Sequence, residues 1–284
     1  MQMLVQDLAH FNEAPTWRTL WLPPNYSSYG EEVDHLYVWI FWITMITFVL
    51  VEGAMLWFCF KYKKAPARKA FYSHGSHKLE VAWTVIPAVI LVALGVLSSS
   101  TWAKIKNPAD PSYPKEFKTT IEILAQQFAW NVHYWGSDGK PGTDDDFTIK
   151  NVLNVPFEDA GPDGVVQHEE EENVLIKLTS QDVIHSFFAP VLRIKQDAVP
   201  GYIVNVWFDV RRATAVGADG HYATDPLQDD DEVYEVACAE LCGPEHSAMR
   251  ARMKAMPRAD WEKWVAAQSA EAKARNAALR NERK

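Results

Sequence analysis

Two apolar runs near the start of this chain restrict its fold more than any other feature. Residues 36–60 carry a single charge, Glu52, and residues 81–103 carry none. Each reaches the roughly 20 residues that a helix needs to cross about 30 Å of hydrocarbon. Tryptophans sit near their ends, Trp39, Trp42 and Trp57 in the first and Trp83 and Trp102 in the second, where interfacial anchors are expected. Pro87 is placed to kink the second run, which neighbouring helices tolerate. The competing reading is a pair of buried helices in a soluble domain.

Charge orients the hairpin. The connection 61–79 holds Lys61, Lys63, Lys64, Arg68, Lys69 and Lys78 and no acid, whereas residues 1–35 hold Arg18 against Asp7, Glu13, Glu31, Glu32 and Asp34. Basic residues favour the cytoplasmic side, so residues 1–35 and everything beyond Ala103 are expected outside. Residues 1–30 lack a basic start followed by an apolar core. No cleavable leader is therefore read, and the first spanning helix is expected to supply targeting.

From Asn107 the pattern changes. Runs at 117–124, 174–179, 202–208 and 233–237 are rich in Val, Ile, Phe and Tyr, and clusters such as 136–146 and 158–164 supply turn residues. Short strands with such turns predict a β-sandwich or barrel. Residues 258–284 are Ala-rich and charged, with Trp261, Trp264 and Val265 as the large apolar cluster. They predict a short C-terminal helix that docks by its first turns and frays later. The fold class is thus mixed membrane and all-β. An outer-side segment (1–35) leads to a transmembrane helical hairpin (36–103, with helices at 36–60 and 81–103), a β-domain (107–257) and a C-terminal helix (258–284).

The net charge of -9 argues against a nucleic-acid surface. Three cysteines in 284 residues form no disulfide framework, although a Cys238–Cys242 bridge remains open. Those two lie in the run Cys238-Ala239-Glu240-Leu241-Cys242-Gly243-Pro244-Glu245-His246-Ser247-Ala248-Met249. Thiolates with imidazole and thioether select copper, zinc or iron–sulfur over hard cations. The second imidazole is sought in Asp182-Val183-Ile184-His185-Ser186-Phe187, with His185 expected in a loop after the 174–179 strand. Two Cys, two His and a Met exceed what one four-coordinate ion needs, which points to two coppers sharing both thiolates. A single blue copper needs only one Cys, and C-x3-C-x3-H is not the usual zinc-finger spacing.

The spacing CxExCxxxHxxM, met by Cys238, Glu240, Cys242, His246 and Met249, resembles the binuclear copper (CuA) signature of cytochrome c oxidase subunit II. DVIHSF (182–187) with KQDAVPG (195–201) resembles that family's upstream ligand loop, and LEVAWTVIPA (79–88) resembles the start of its second membrane helix. The resemblance covers roughly residues 30 to 257 and implies a cupredoxin-like β-barrel. It implies that Cys238 and Cys242 bridge two copper ions, that His185 and Met249 complete one, and that His246 and the Glu240 carbonyl complete the other. The Glu240 side chain would reach a Mg or Mn ion at the border with the catalytic subunit. Met253 and Met256 depart from the motif spacing and are read as core or strand residues.

The same resemblance implies a place in a proton-pumping haem–copper oxidase of a bacterial inner membrane, with the copper domain on the periplasmic side. Electrons would pass from a soluble or membrane-bound c-type cytochrome to haem in the catalytic subunit I, which reduces oxygen to water beside other oxidase subunits. This chain would hold no catalytic residue for oxygen chemistry, and with no CxxCH it would carry no covalent haem. Phe128 falls where the family's run starting GHQWYW has its electron-accepting tryptophan, and Trp130 matches the second tryptophan; barrel core is the plainer reading of both. Glu80 resembles a proton-uptake residue, or is a simple interfacial charge. Acid clusters at 144–146, 169–172 and 229–232 could steer a basic donor or form solvated loops. Three further classes remain: a copper-free quinol-oxidase subunit II, a copper carrier or assembly protein, and a nitrous-oxide-reductase-type copper domain. Against the first stand Cys238, Cys242, His246 and Met249.

Overall fold

The computed structural model describes residues 22–66, 68–69, 72–157, 172–210 and 234–282. The chain divides into two compact units, one comprising Glu32–Tyr113 and the other, among described residues, Leu22–Glu31 with the chain from Pro114 onward.

In the first unit, helix α1 (Gly30–Lys61) extends its apolar run mainly at the start, and helix α2 (His77–Lys106) extends its run by a few residues at each end. Their polar ends continue the backbone hydrogen-bond ladder, so each spans about 45 Å at 1.5 Å per residue. Helix α2 runs through Pro87 unbroken. Glu32 at the start of α1 receives Lys104 Nζ at 2.6 Å from the end of α2. The apolar side chains of both helices stay exposed, among them Trp39, Phe48, Leu50, Leu91 and Val92. This rules out the buried soluble pair and fits helices whose solvent is lipid or protein.

The second unit contains ten strands among its described residues. In chain order they are β1 (Thr119–Gln126), β2 (Ala129–Tyr134), β3 (Phe147–Lys150), β4 (Val152–Phe157), β5 (Val174–Ser180), β6 (His185–Ala189), β7 (Ile194–Ala198), β8 (Val204–Phe208), β9 (Tyr234–Cys238) and β10 (Arg250–Pro257). They form two five-stranded sheets, ordered β3-β2-β1-β5-β8 and β4-β10-β9-β6-β7. Two pairings are parallel, β1 with β5 and β10 with β4, so the chain repeatedly crosses between sheets.

Alternation builds the core. Ile121, Ile123 and Ala125 on β1, and Ile176 and Leu178 on β5, are wholly buried, while the residues between them are not. Leu153, Val155, Phe187, Val236 and Met253 supply the other sheet's inner rows. Among the described residues, hydrogen bonds and ring contacts tie the sheets together. The Tyr134 hydroxyl receives the Asn154 N–H at 2.7 Å, and Trp130 meets Phe187 edge-on at 5.8 Å. Met253 and Met256 are buried in β10, as expected of strand residues.

The segment before α1 packs on the β-domain, which the sequence pattern does not announce. Tyr26 N–H bonds Val191 O at 2.8 Å, and the Ser28 N–H and hydroxyl both donate to Asp209 Oδ1. Tyr29 sets its ring against Trp207.

Helix α3 (Arg258–Glu282) does not release after its first turns. Trp264 packs edge-on against Tyr134 and Phe147, Val265, Ser269 and Ala272 are buried, and Asn276 Nδ2 donates to Asp144 O at 2.8 Å. Arg280 then pairs with Asp144. Small residues at helical spacing let the helix lie close along the domain, so fraying is avoided without large apolar groups. Replacing Trp264 by Ala should cost about 2–4 kcal/mol. Thermal unfolding of the full chain, with protease sensitivity near residue 280, checks it.

Candidate metal centre

Strands β9 and β10 are paired, with Arg250 opposite Ala237, and the twelve residues 238–249, starting from the last residue of β9, make the connecting loop. The loop is closed by its own first and last residues, since Cys238 N–H donates to Met249 O at 3.1 Å. Cys238 thus leaves the end of β9 and Met249 precedes β10, both buried.

His185 opens strand β6 and does not lie in a loop. Phe187 pairs with Cys238, and Ala239 N–H donates to Ser186 O at 3.0 Å. That antiparallel register carries His185 past the end of β9 to the cysteine loop, and the ring is fully buried there.

Five donor contacts result. The Cys238 and Cys242 Sγ atoms are 3.8 Å apart, and both thiols are free. The gap is far beyond the roughly 2.05 Å of an S–S bond, so the disulfide reading fails in this form. Cys238 Sγ lies 3.9 Å from His185 Nδ1 and 3.2 Å from the Glu240 carbonyl oxygen. Cys242 Sγ lies 3.6 Å from His246 Nδ1 and 3.8 Å from Met249 Sδ. Two donors about 2.0–2.3 Å from one tetrahedral ion stand about 3.3–3.8 Å apart. These spacings therefore fit donors that share metal ions, and among the described His, Cys, Asp and Glu side chains, His185, Cys238 and Cys242 form a group whose ligand atoms all lie within 4.8 Å of one another.

The surroundings fix the loop. Gly243 has φ +138°, and a Cβ there would meet Gln127 Nε2 at 2.9 Å and the Phe128 ring at 3.0 Å. Glycine is thus required both by the backbone and by the ring pressed against it. Gln127 Nε2 donates to Cys242 O at 2.6 Å. His185 Nε2 lies 2.8 Å from Asp182 Oδ1. Neither Gln127 nor Asp182 carries a signal within the ligand spacing, and both were missed from the sequence; the aromatic turn and the DVIHSF stretch contain them.

The remaining expected residues fall at different depths. Trp130 is buried, edge-on to His185 at a centroid distance of 6.3 Å, with its backbone held by Asn151. It is a core residue, whereas Phe128 is half-exposed. The Glu240 side chain is exposed. Glu80 is exposed in the first turn of α2, 3.6 Å from His77 Nδ1.

The acid clusters are less free than composition suggests. Asp144 pairs with Arg280, Asp145 is buried against Thr143, and Asp146 accepts from Gly142 N–H. Glu172 is buried against Arg258 at 2.7 Å and cannot steer a donor. Residues 169–171 and 229–232 lie outside the described residues.

A membrane-anchored β-domain of cupredoxin-like form, with a loop of soft metal donors between two strands, defines the class. Comparison with known families agrees with it. The model described as "Cytochrome C oxidase subunit II, transmembrane domain" matches residues 15–100, and that described as "Cytochrome C oxidase subunit II, periplasmic domain" matches 120–219. Together they cover well over half the chain, although the second match ends before the cysteine loop. The "Alternative cytochrome c oxidase subunit 2" of Bradyrhizobium diazoefficiens is 29% identical over 273 residues, covering 92% of this chain and 89% of its own. The "Probable cytochrome c oxidase subunit 2" of Rickettsia felis is 28% identical over 269 residues, covering 94% and 77%. A crystal structure of the periplasmic domain of subunit II of cytochrome oxidase (CoxB) of Bradyrhizobium japonicum matches 55% of this chain and 96% of its own at 19% identity, with a TM-score of 0.39. The chain belongs to the cytochrome c oxidase subunit II family. It is therefore a membrane-anchored subunit of an oxidoreductase complex with a periplasmic domain, in a family that implies a copper site.

Burial raises the Cys242 thiol to about 11, with the hydrogen bond and charge of Cys238 adding to the rise. Below that value the metal-free thiol holds its proton, which a metal must displace. Metal affinity should therefore climb with pH, by up to about tenfold per unit for this one proton. Competition titrations of the metal-free chain from neutral pH upward check the sign.

Proposed function

We propose that this chain is the electron-receiving subunit of a proton-pumping haem–copper oxidase in a bacterial inner membrane. It would accept electrons from a c-type cytochrome and hand them to haem in the catalytic subunit, where oxygen is reduced to water. The observation that carries this reading is the pair of free sulfurs 3.8 Å apart with an imidazole beside each. Two thiols, two imidazoles, a thioether and a carbonyl exceed the needs of a single ion. Cys238 and Cys242 would hold two coppers, which when bound would supply a one-electron carrier.

The chain's own residues do the rest. Cys238 and Cys242 would be held as thiolates. His185 with Met249, and His246 with the Glu240 carbonyl, would close the two ends. The closed loop and buried His185 limit movement of the donors, which keeps reorganisation on electron transfer small. The exposed Glu240 carboxylate is free to meet a Mg or Mn ion at the catalytic subunit. Glu80, at the cytoplasmic end of α2, would present a carboxylate to a proton-uptake path. Phe128 keeps an aromatic contact over the loop without an indole N–H, which favours a membrane-bound cytochrome or a haem domain of a partner complex as donor.

The copper-loaded full chain should show two coppers and a mixed-valence paramagnetic spectrum, both lost in Cys242→Ser. Mononuclear copper would support a carrier, and no copper would support the quinol-oxidase type. In the assembled complex, Phe128→Ala should slow electron transfer from cytochrome to copper at least several-fold, measured by flash kinetics. An unchanged rate discards electron input at Phe128.

A further inference from the structure

We propose that Asp182 is a positioning residue for this centre. Its carboxylate holds the His185 ring with Nδ1 toward the sulfur pair, and ties that ring to the turn bearing Phe128. The functional consequence rests on the dicopper reading above; the ring geometry does not.

Three N–H groups converge on this one carboxylate. Oδ1 accepts from His185 Nε2 at 2.8 Å and from Val183 N–H at 2.7 Å, and Oδ2 accepts from Gln127 N–H at 2.7 Å. An ionised carboxylate only accepts, so Nε2 must carry a proton, and in the neutral ring, which is the metal-binding form, that proton is the only one. Nδ1 is then a bare lone pair, the form that binds a metal. It is also the nitrogen that faces Cys238 Sγ at 3.9 Å. The ring is fully buried and flanked edge-on by Trp130, whereas Asp182 is about one-third exposed. The carboxylate thus sets which nitrogen points inward.

The support is itself fixed. Ser180 Oγ receives the Asp182 N–H at 3.3 Å, and Gln181 N–H donates to Ala125 O at 2.9 Å, which pins the loop to the end of β1. Gln127 completes the link, with its backbone on Asp182 and its amide on Cys242 O at 2.6 Å. The Phe128 turn is therefore hydrogen-bonded to the His185 side and to the Cys242 side of the centre. A carboxylate serving only as surface charge for a donor would need neither the buried imidazole nor the Gln127 amide.

The test uses the full chain in lipid bilayers with histidine-selective 15N labelling. In the metal-free native chain, solid-state NMR should show His185 as a single Nε2–H tautomer. Asp182→Ala should give a mixture of tautomers, and Asp182→Asn, which can still accept from Nε2 but not also from Gln127, should keep most of the native form. After copper loading, copper retention should fall about 10–100-fold in the Ala variant, less in the Asn variant, with altered His185 nitrogen hyperfine coupling. A native tautomer with native retention and coupling in Asp182→Ala overturns the proposal, as does a change confined to the salt dependence of donor oxidation. If the Ala variant fails to fold, the near-isosteric Asp182→Leu, which cannot accept from Nε2, decides: a native tautomer with native copper retention and coupling there overturns the proposal. If the native chain binds only single coppers, the dicopper reading falls while the tautomer measurement still decides the role of Asp182.

Discussion

The antiparallel register of β6 against β9 is the constraint on which the metal centre depends. Phe187 lies opposite Cys238, and Ser186 O receives the Ala239 N–H. His185 and Cys238 are 53 positions apart in the chain, and only this pairing brings them together. Strand side chains alternate faces, so a slip of one residue would turn His185 away and bring a neighbour in. The register is held by the core, because Phe187 and Ala189 on β6 and Val236 on β9 are buried. Packing across the sandwich thus fixes metal-donor geometry at its end.

Around that register the polar contacts have a common direction. Asp182, Gln127 and Asn151 are each hydrogen-bonded to backbone or to a ring at the site, and none contributes a metal-binding atom. Asn151, at φ +59°, occupies the left-handed region that Asn tolerates better than most residues. There it holds the Trp130 backbone from both sides, with Trp130 N donating to its side chain and its own N–H donating to Trp130 O. Trp130 in turn walls the His185 ring. The soft donors are therefore confined by neighbours that are themselves confined, as preorganised sites require.

Much of the fold was legible because its signals are local. The two membrane helices follow from composition, and the loop donors from a spacing of twelve residues. His185 was identifiable as a donor through its motif but misplaced in a loop, since its strand is five residues long and its pairing is non-local. Strands β2, β3, β4, β6, β7 and β10 were unmarked; β3 and β7 are as short as β6, and β10 alternates its basic residues with Ala251, Met253 and Ala255 and not with the β-branched or aromatic residues that mark a strand. The segment around Tyr26 to Tyr29 gave no periodic signal, because its contacts are single hydrogen bonds and ring edges to distant residues. The docking of α3 was underestimated because Ser269 and Ala272 bury little area individually and act by allowing close approach. Acidic residues at 144–146 and Glu172 looked free in the sequence, and their partners Thr143, Arg280 and Arg258 could be found only in three dimensions.

The backbone bond from Cys238 N–H to Met249 O lets the loop hold its own two ends together, in addition to the contacts that seat it on the domain. The first and last donors of the loop also latch it shut, so the stretch between them behaves as a removable cassette seated on two adjacent strands. Its sequence could diverge, or be transplanted onto another sandwich of similar strand geometry, provided the latch and the twelve-residue count survive. What such a transplant could not carry is the imidazole from β6, which the recipient would have to supply from its own neighbouring strand.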